Sequence, residues 1–117
     1  MFHSAYLETC SETTSKIRDN ERAAFDKAIG LLELAQAKGA DASQSAEALH
    51  FVSRLWRVLL EDLAEEGNGL PKELKASLIS IGIWVLKRAE DIRQGKSGDF
   101  SALIEVCRSI RSGLGRD

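Results

Sequence analysis

Four side chains in this 117-residue sequence could together bind a zinc ion, two histidines and two cysteines. Imidazole nitrogen and thiolate sulfur are the ligands of structural zinc sites, which usually hold them in closely spaced pairs. Here they stand at His3, Cys10, His50 and Cys107, far apart in the chain. We therefore expect two solvated histidines and two unpaired cysteines, and no zinc.

A short acidic run offers a second kind of chemistry, the binding of a divalent cation by carboxylates. Glu61, Asp62, Glu65 and Glu66 lie close together in the sequence, although such a run is more often a solvated helix face. His50 falls on the charged side of its predicted helix, which favours an exposed histidine over a general base. No nucleophile elbow, glycine-rich phosphate loop or zincin motif occurs. We expect no catalytic residue, no metal and no other cofactor.

The overall charge narrows the class of partner. Sixteen basic and 18 acidic residues give a net charge of −2, so no global field favours nucleic acid or anionic lipid. The arginines near the C-terminus, Arg108, Arg111 and Arg116, have no aromatic residues between them, and direct binding of RNA or DNA is disfavoured. The N-terminus has no basic segment followed by an apolar run, which predicts no signal peptide, and two distant cysteines predict a reducing cytoplasm.

Glycines and a single proline divide the sequence into segments whose lengths suit helices. Apolar residues recur at helical spacing from about residue 16 to 38, and Gly39 follows as a C-terminal cap. Asp41, with Gln44 as its capping-box partner, is the predicted N-cap of a second helix that ends near Gly67.

Pro71 suits the first position of a third helix, which runs to about Gln94 with Gly95 as its stop, and Asp99 can cap a fourth helix. These elements predict an all-α fold, a single domain over residues 1–117 built as a bundle of about four main helices. The first fifteen residues leave two structures open, a short extra helix and a flexible arm. The fourth helix has one apolar stripe, formed by Phe100, Leu103, Ile104, Cys107, Ile110 and Leu114.

The most apolar stretch lies in the third helix, where residues 78–86 read LISIGIWVL. It is too short to span a membrane, which takes about 20 apolar residues. At about 100° per residue its side chains fall on two faces, with Gly82 between them as a point of close helix approach. A helix that is apolar on two faces is normally central, so we expect neighbours on both sides. One face comprises Leu74, Leu78, Ile81, Val85, Ala89 and Ile92, and the other Ile79, Ile83 and Leu86.

The two tryptophans differ in their expected surroundings. Trp56 falls inside the main apolar stripe of the second helix, which predicts burial in the core. Trp84 stands on the polar side of the third helix, where core packing and partner contact are about equally supported, since exposed tryptophan is enriched at binding sites. The candidate partner-binding residues are therefore Trp84, Ser80 and Lys87 on the third helix, and Phe51, Leu55 and Val58 on one flank of the second.

Three long stretches carry a family resemblance: ALHFVSRLWRVLLEDL (Ala48–Leu63), GNGLPKELKASLISIGIWVLKRAEDIRQG (Gly67–Gly95) and LIEVCRSIRSGL (Leu103–Leu114). They resemble the FlaF family of flagellar biosynthesis proteins, most closely in R-L-W-x-x-L-x-x-D-L, N-x-L-P-x-x-L, L-I-S-I-G-I-W-V and I-R-x-G-L. Two positions depart from the family pattern. Glu65–Glu66 lack the proline usual just before the loop that contains Asn68, and Cys107 stands where a polar residue, often Asn, is usual.

The resemblance implies a small cytoplasmic protein of alphaproteobacterial flagellar systems that positively controls flagellin production and secretion. We interpret it as a flagellin export chaperone, in which an apolar groove binds a terminal helical segment of flagellin. The alternative is a post-transcriptional regulator that acts through FlbT, which restrains flagellin translation, or through flagellin mRNA, without itself chaperoning flagellin. The expected partners are thus flagellin first, and beside it FlbT and the flagellar export apparatus.

Overall fold

The computed structural model describes the backbone of residues 4–114 and the side chains of residues 21–112. Over this range the chain forms four α-helices, which confirms the predicted all-α bundle. Within it, no helix combines the length and apolar character needed to cross a membrane. The helices are α1 (Ser4–Lys38), α2 (Ser43–Ala64), α3 (Lys72–Arg93) and α4 (Phe100–Leu114).

Helix α1 is longer than its apolar periodicity suggested. It begins at Ser4 and has 35 residues, so residues 4–15, for which a short helix and a flexible arm were both open, belong to it. A helix of this length extends about 52 Å. This agrees with the longest dimension of the molecule, 51 Å.

Three of the predicted helix ends are confirmed. Gly39 (φ +102°) ends α1 and Gly95 (φ +78°) follows α3, both in the left-handed region that glycine adopts without steric cost. The Asp99 carboxylate accepts a hydrogen bond from the backbone N–H of Ala102 at 3.2 Å, which caps α4 as expected.

The predicted capping box before α2 is wrong. The N-cap is Ala42, which makes no side-chain cap hydrogen bond, and the helix begins at Ser43. The physical reason is a tight turn in which the N–H of Ala42 donates to the carbonyl of Gly39 at 3.1 Å. This turn places Asp41 one residue too early in the chain to cap the helix.

The helices pack around α1 and α2. Helix α2 contacts both α1 and α3, α4 packs along α1, and the contact between α3 and α4 is small; within the described range α3 does not touch α1. The Phe25 and Trp56 rings meet edge to face, with centroids 5.7 Å apart and an interplanar angle of 84°. Other fully buried core side chains are Leu32, Val52, Val85, Leu103 and Cys107.

Helix α3 is therefore peripheral, and the prediction that it is central with neighbours on both sides is wrong. Its C-terminal half contributes Val85, Ala89 and Ile92 to the core, whereas Leu74 near its start is 44% exposed and Ile83 is 58% exposed. The reason is that α3 has one close neighbour, α2, so its second apolar face lacks a full helix to cover it.

Among the described side chains, two ion pairs join α4 to α1. The guanidinium of Arg111 binds Asp26, with Nε 2.7 Å from Oδ1, and Arg108 pairs with Glu33. The hydrogen bond from Arg111 lowers the pKa of Asp26. Because all four side chains are substantially exposed, these pairs contribute little stability. They engage Arg108 and Arg111, two of the three arginines that were considered, and disfavoured, as nucleic-acid ligands, while Arg116 lies outside the described residues.

Candidate partner-binding surface

The six candidate residues lie on two separate faces of the molecule. Gly82 faces α2, because a Cβ placed on it would lie 2.8 Å from Leu60 Cδ2 and 3.1 Å from Trp56 Cε3. At about 100° per residue, Trp84 then points away from α2. Phe51 instead lies toward α1, since Nζ of Lys27 is 4.9 Å from its ring centroid. The two groups therefore do not form one patch.

On α2, most of the apolar surface of the candidate residues is covered by packing within the fold. Phe51 and Leu55 are half-buried and pack against the core. Val58 remains 58% exposed. This flank therefore offers one exposed aliphatic side chain, which is common on the surface of soluble proteins.

On α3, the candidate group is more open. Ser80 and Lys87 are exposed, while Trp84 is half-buried and packs against the edge of the core. The guanidinium carbon of Arg88 lies 5.4 Å from the Trp84 ring centroid, a cation–π distance. Trp84 is thus packed in part against the core and in part exposed, and its contact with a partner stays a prediction.

Ile83 is the exposed residue of this face that the sequence reasoning assigned to the core. It is 58% exposed and shares the outward side of α3 with Ser80, Trp84 and Lys87, which lie three residues before it, one after it and four after it. The row of side chains at four-residue spacing, Lys75, Ile79, Ile83 and Lys87, is called here the α3 ridge. Rows of this kind are what one helix inserts into the groove of another.

The metal-binding hypotheses gain no support from the arrangement of side chains. Glu61, Glu65 and Glu66 line a shallow, open depression with Ala64 and Gly67. Among the described residues, no three His, Cys, Asp or Glu side chains converge as metal ligands would. His50 is exposed, as expected. His3 and the side chain of Cys10 lie outside the part that the structure describes.

The Cys107 thiol lies beside the Trp56 indole in the buried core. Burial raises the pKa of the Cys107 thiol to about 11, against a smaller lowering by the nearby Trp56 indole. The indole N–H approaches the sulfur without the geometry of a hydrogen bond, and it finds no other acceptor among the described side chains. This contact is structural, because a protonated and buried thiol is a poor nucleophile.

The Cys107 thiol is expected to be unreactive in the folded protein. Raising its pKa from 9.0 to about 11 lowers the thiolate fraction at pH 8 about a hundredfold, before steric protection is counted. A Cys10→Ser variant leaves Cys107 as the single thiol, and its reaction with Ellman's reagent can be timed with and without urea. Equal rates in the two conditions would contradict the burial.

Comparison with known proteins supplies the context for this surface. The model of the family described as "Flagellar protein FlaF" matches residues 2–114, nearly the whole chain. No curated protein and no solved structure was found to be similar to this chain. The match contains α2, α3 and the α3 ridge in full, together with the loop at Asn68. The chain is a member of the FlaF family of flagellar proteins.

Proposed function

We propose that this protein binds flagellin in the cytoplasm as an export chaperone and thereby supports flagellin production and secretion. The observation that carries the proposal is the apolar side of α3 that no other helix covers among the described residues, on which Ile83 is 58% exposed beside the half-buried Trp84. An exposed apolar helix face of this kind suits packing against the apolar face of a second, amphipathic helix. Membership of the FlaF family makes a flagellar protein the natural partner.

The physical logic of the proposal concerns the flagellin segments that become helical only in the filament. Before assembly, their apolar residues have no partner and favour aggregation. Covering them with α3 would mask those residues until export. Because the client segment must be ordered on binding, part of the interaction free energy is lost, which favours moderate affinity and release.

The test is calorimetry with purified components. A C-terminal segment of flagellin is titrated into the protein at two salt concentrations, and FlbT and flagellin mRNA are titrated in parallel. Saturable heat with flagellin is expected at both salt concentrations. Clear heat with FlbT but none with flagellin would reject the chaperone and favour the regulator, and steep salt dependence with RNA would favour direct mRNA binding.

Ile83→Ser is expected to weaken flagellin binding about tenfold. Covering an isoleucine side chain on binding contributes about 1.5–3 kcal/mol at full burial, and 1.4 kcal/mol corresponds to a factor of ten. Val58→Ser is the matched control, because Val58 is also 58% exposed but lies on the other candidate face. Equal losses of affinity in the two variants, measured by calorimetry, would reject α3 as the binding face.

A further inference from the structure

We infer that the α3 ridge binds an amphipathic helix of another polypeptide that carries carboxylates at both ends of its apolar stripe. The inference rests on the proposed function for the idea of a helical client, and it adds the charge pattern of that client. The ridge places two isoleucines, Ile79 and Ile83, between two lysines, Lys75 and Lys87. Twelve residues of helix separate the lysines, a distance of about 18 Å.

The lysines of the ridge have no carboxylate partner within the described residues. The ion pairs recorded there join Arg93 to Glu90 and tie Arg108 and Arg111 to α1. Lys72, at the start of α3, is exposed and likewise has no carboxylate partner among the described residues, whereas Lys75 is half-buried and Lys87 is exposed. Helix α3 carries five basic and three acidic residues, although acidic residues outnumber basic ones in the whole chain. Positive charge is therefore concentrated beside Ile79, which is half-buried, and Ile83, which is exposed.

The carboxylates near the ridge do not cancel this charge. Glu90 accepts hydrogen bonds from Arg93 and Gln94, which hold its pKa at about 2. Asp91 lies one turn beyond Lys87 but forms no ion pair with it, and Glu73 lies about a quarter turn away from the ridge. On the α2 side, Arg57 is close enough to act on the charge of Glu90, which adds a cation to the same edge.

The charge pattern also disfavours a second copy of this chain as the natural occupant. In an antiparallel pair, a two-fold axis near residue 81 buries Ile79 of one copy against Ile83 of the other and places Lys75 opposite Lys87. In a parallel pair, the axis runs along the helices and each residue, including each lysine, meets its own copy. Both arrangements bring like charges together at the ends of the apolar contact.

The complementary partner is therefore an amphipathic helix of three to four turns. Its apolar residues repeat at three- and four-residue intervals, and acidic residues about twelve positions apart reach Lys75 and Lys87. Exposed ion pairs are individually weak and strongly screened by salt. We expect the two ion pairs together to raise the affinity about fivefold to tenfold at low salt. Their main effect is then on which helix binds, and the apolar contact supplies most of the binding free energy.

Two synthetic helical peptides test the inference directly. Both have 18 residues and the same leucine stripe, and they differ only in glutamate or lysine at the two ends of the stripe. The glutamate peptide is expected to bind at least fivefold tighter by calorimetry in 50 mM NaCl, with most of the difference lost in 500 mM NaCl. Equal affinities at low salt would overturn the inference.

Reversing the charge of the two ridge lysines tests whether the preference for the glutamate peptide arises at the α3 ridge. The double variant Lys75→Glu/Lys87→Glu is expected to prefer the lysine peptide. Lys38→Glu/Lys96→Glu, with the same change of charge at exposed lysines away from the ridge, should keep the parent preference. If Lys75→Glu/Lys87→Glu kept the preference for the glutamate peptide, the inference would be overturned. It would also be overturned if sedimentation showed a dimer of the parent protein and a monomer of Ile83→Ser. Thermal melts check that all variants fold.

The same proteins separate this inference from the proposed function. If flagellin binds and Lys75→Glu/Lys87→Glu has no effect on its affinity, the charge pattern is wrong while the chaperone stands. If flagellin does not bind but the glutamate peptide does, with reversal by the double variant, the ridge is an acidic-helix site and its client is another protein.

Discussion

Replacing Trp56 with alanine is expected to lower the free energy of unfolding by about 4 kcal/mol, because large-to-small changes in a core lose transfer free energy and leave a cavity. Trp56 is 1% exposed. It contacts Phe25 of α1 edge to face, approaches Gly82 of α3 and lies beside Cys107 of α4. One ring thus joins all four helices, and its loss removes a large part of the stability of a domain of this size.

Urea unfolding followed by circular dichroism measures this loss, with Trp84→Ala as the matched control. Trp84 is half-buried, so its removal should cost only about 1–2 kcal/mol. The Trp56→Phe variant keeps an aromatic ring but lacks the indole N–H, so it distinguishes the contribution of the ring from that of the N–H. Because that N–H makes no hydrogen bond among the described residues, phenylalanine should retain most of the stability. Comparable losses for Trp56→Ala and Trp84→Ala would contradict the assignment of Trp56 as the central core residue.

Gly82→Leu is expected to destabilise the fold by about 3 kcal/mol, through overpacking where α2 and α3 meet. Even a methyl group there would lie 2.8 Å from Leu60 Cδ2 and 3.1 Å from Trp56 Cε3. Leu60 is partly exposed and can move, whereas Trp56 is held on all sides. Gly82→Ala should therefore be milder, at about 1 kcal/mol, and a leucine must separate the helices.

Gly30→Ala supplies the control for Gly82. Gly30 also lies inside a helix, but a Cβ placed on it meets nothing within 4 Å. The substitution should stabilise the protein by about 0.5–1 kcal/mol, the ordinary gain in helix propensity. Thermal melts of the two alanine variants thus give opposite shifts. A stabilising Gly82→Ala would show that the approach of α2 and α3 is looser than the structure has it.

The fold could be predicted from the sequence wherever local chemistry decides it. Glycine at the helix ends and the aspartate cap at Asp99 are local devices, and both agree with the structure. The start of α1 could not be read in this way, because its first turns lack the apolar stripe that marks the later ones. The cap before α2 was misplaced by one residue, since the turn from Gly39 to Ala42 sets where the helix begins.

The candidate surface could be predicted only in part. Spacing alone placed Ser80, Trp84 and Lys87 on one side of α3, where the structure leaves them available. Ile83 was assigned to the core because its helix has two apolar faces. Which face is covered depends on how α1, α2 and α4 pack, and that is decided by contacts between residues distant in sequence.

The environments of the two tryptophans give the protein two separate optical reporters. Trp56 lies in a dry core against Phe25, so its ultraviolet emission should shift to longer wavelength when the chain unfolds. Trp84 lies at the edge of the α3 ridge under Arg88, where a docked helix would displace water without disturbing the core. A single-tryptophan protein retaining Trp84 would therefore signal the arrival of a client by its own fluorescence, with no attached dye.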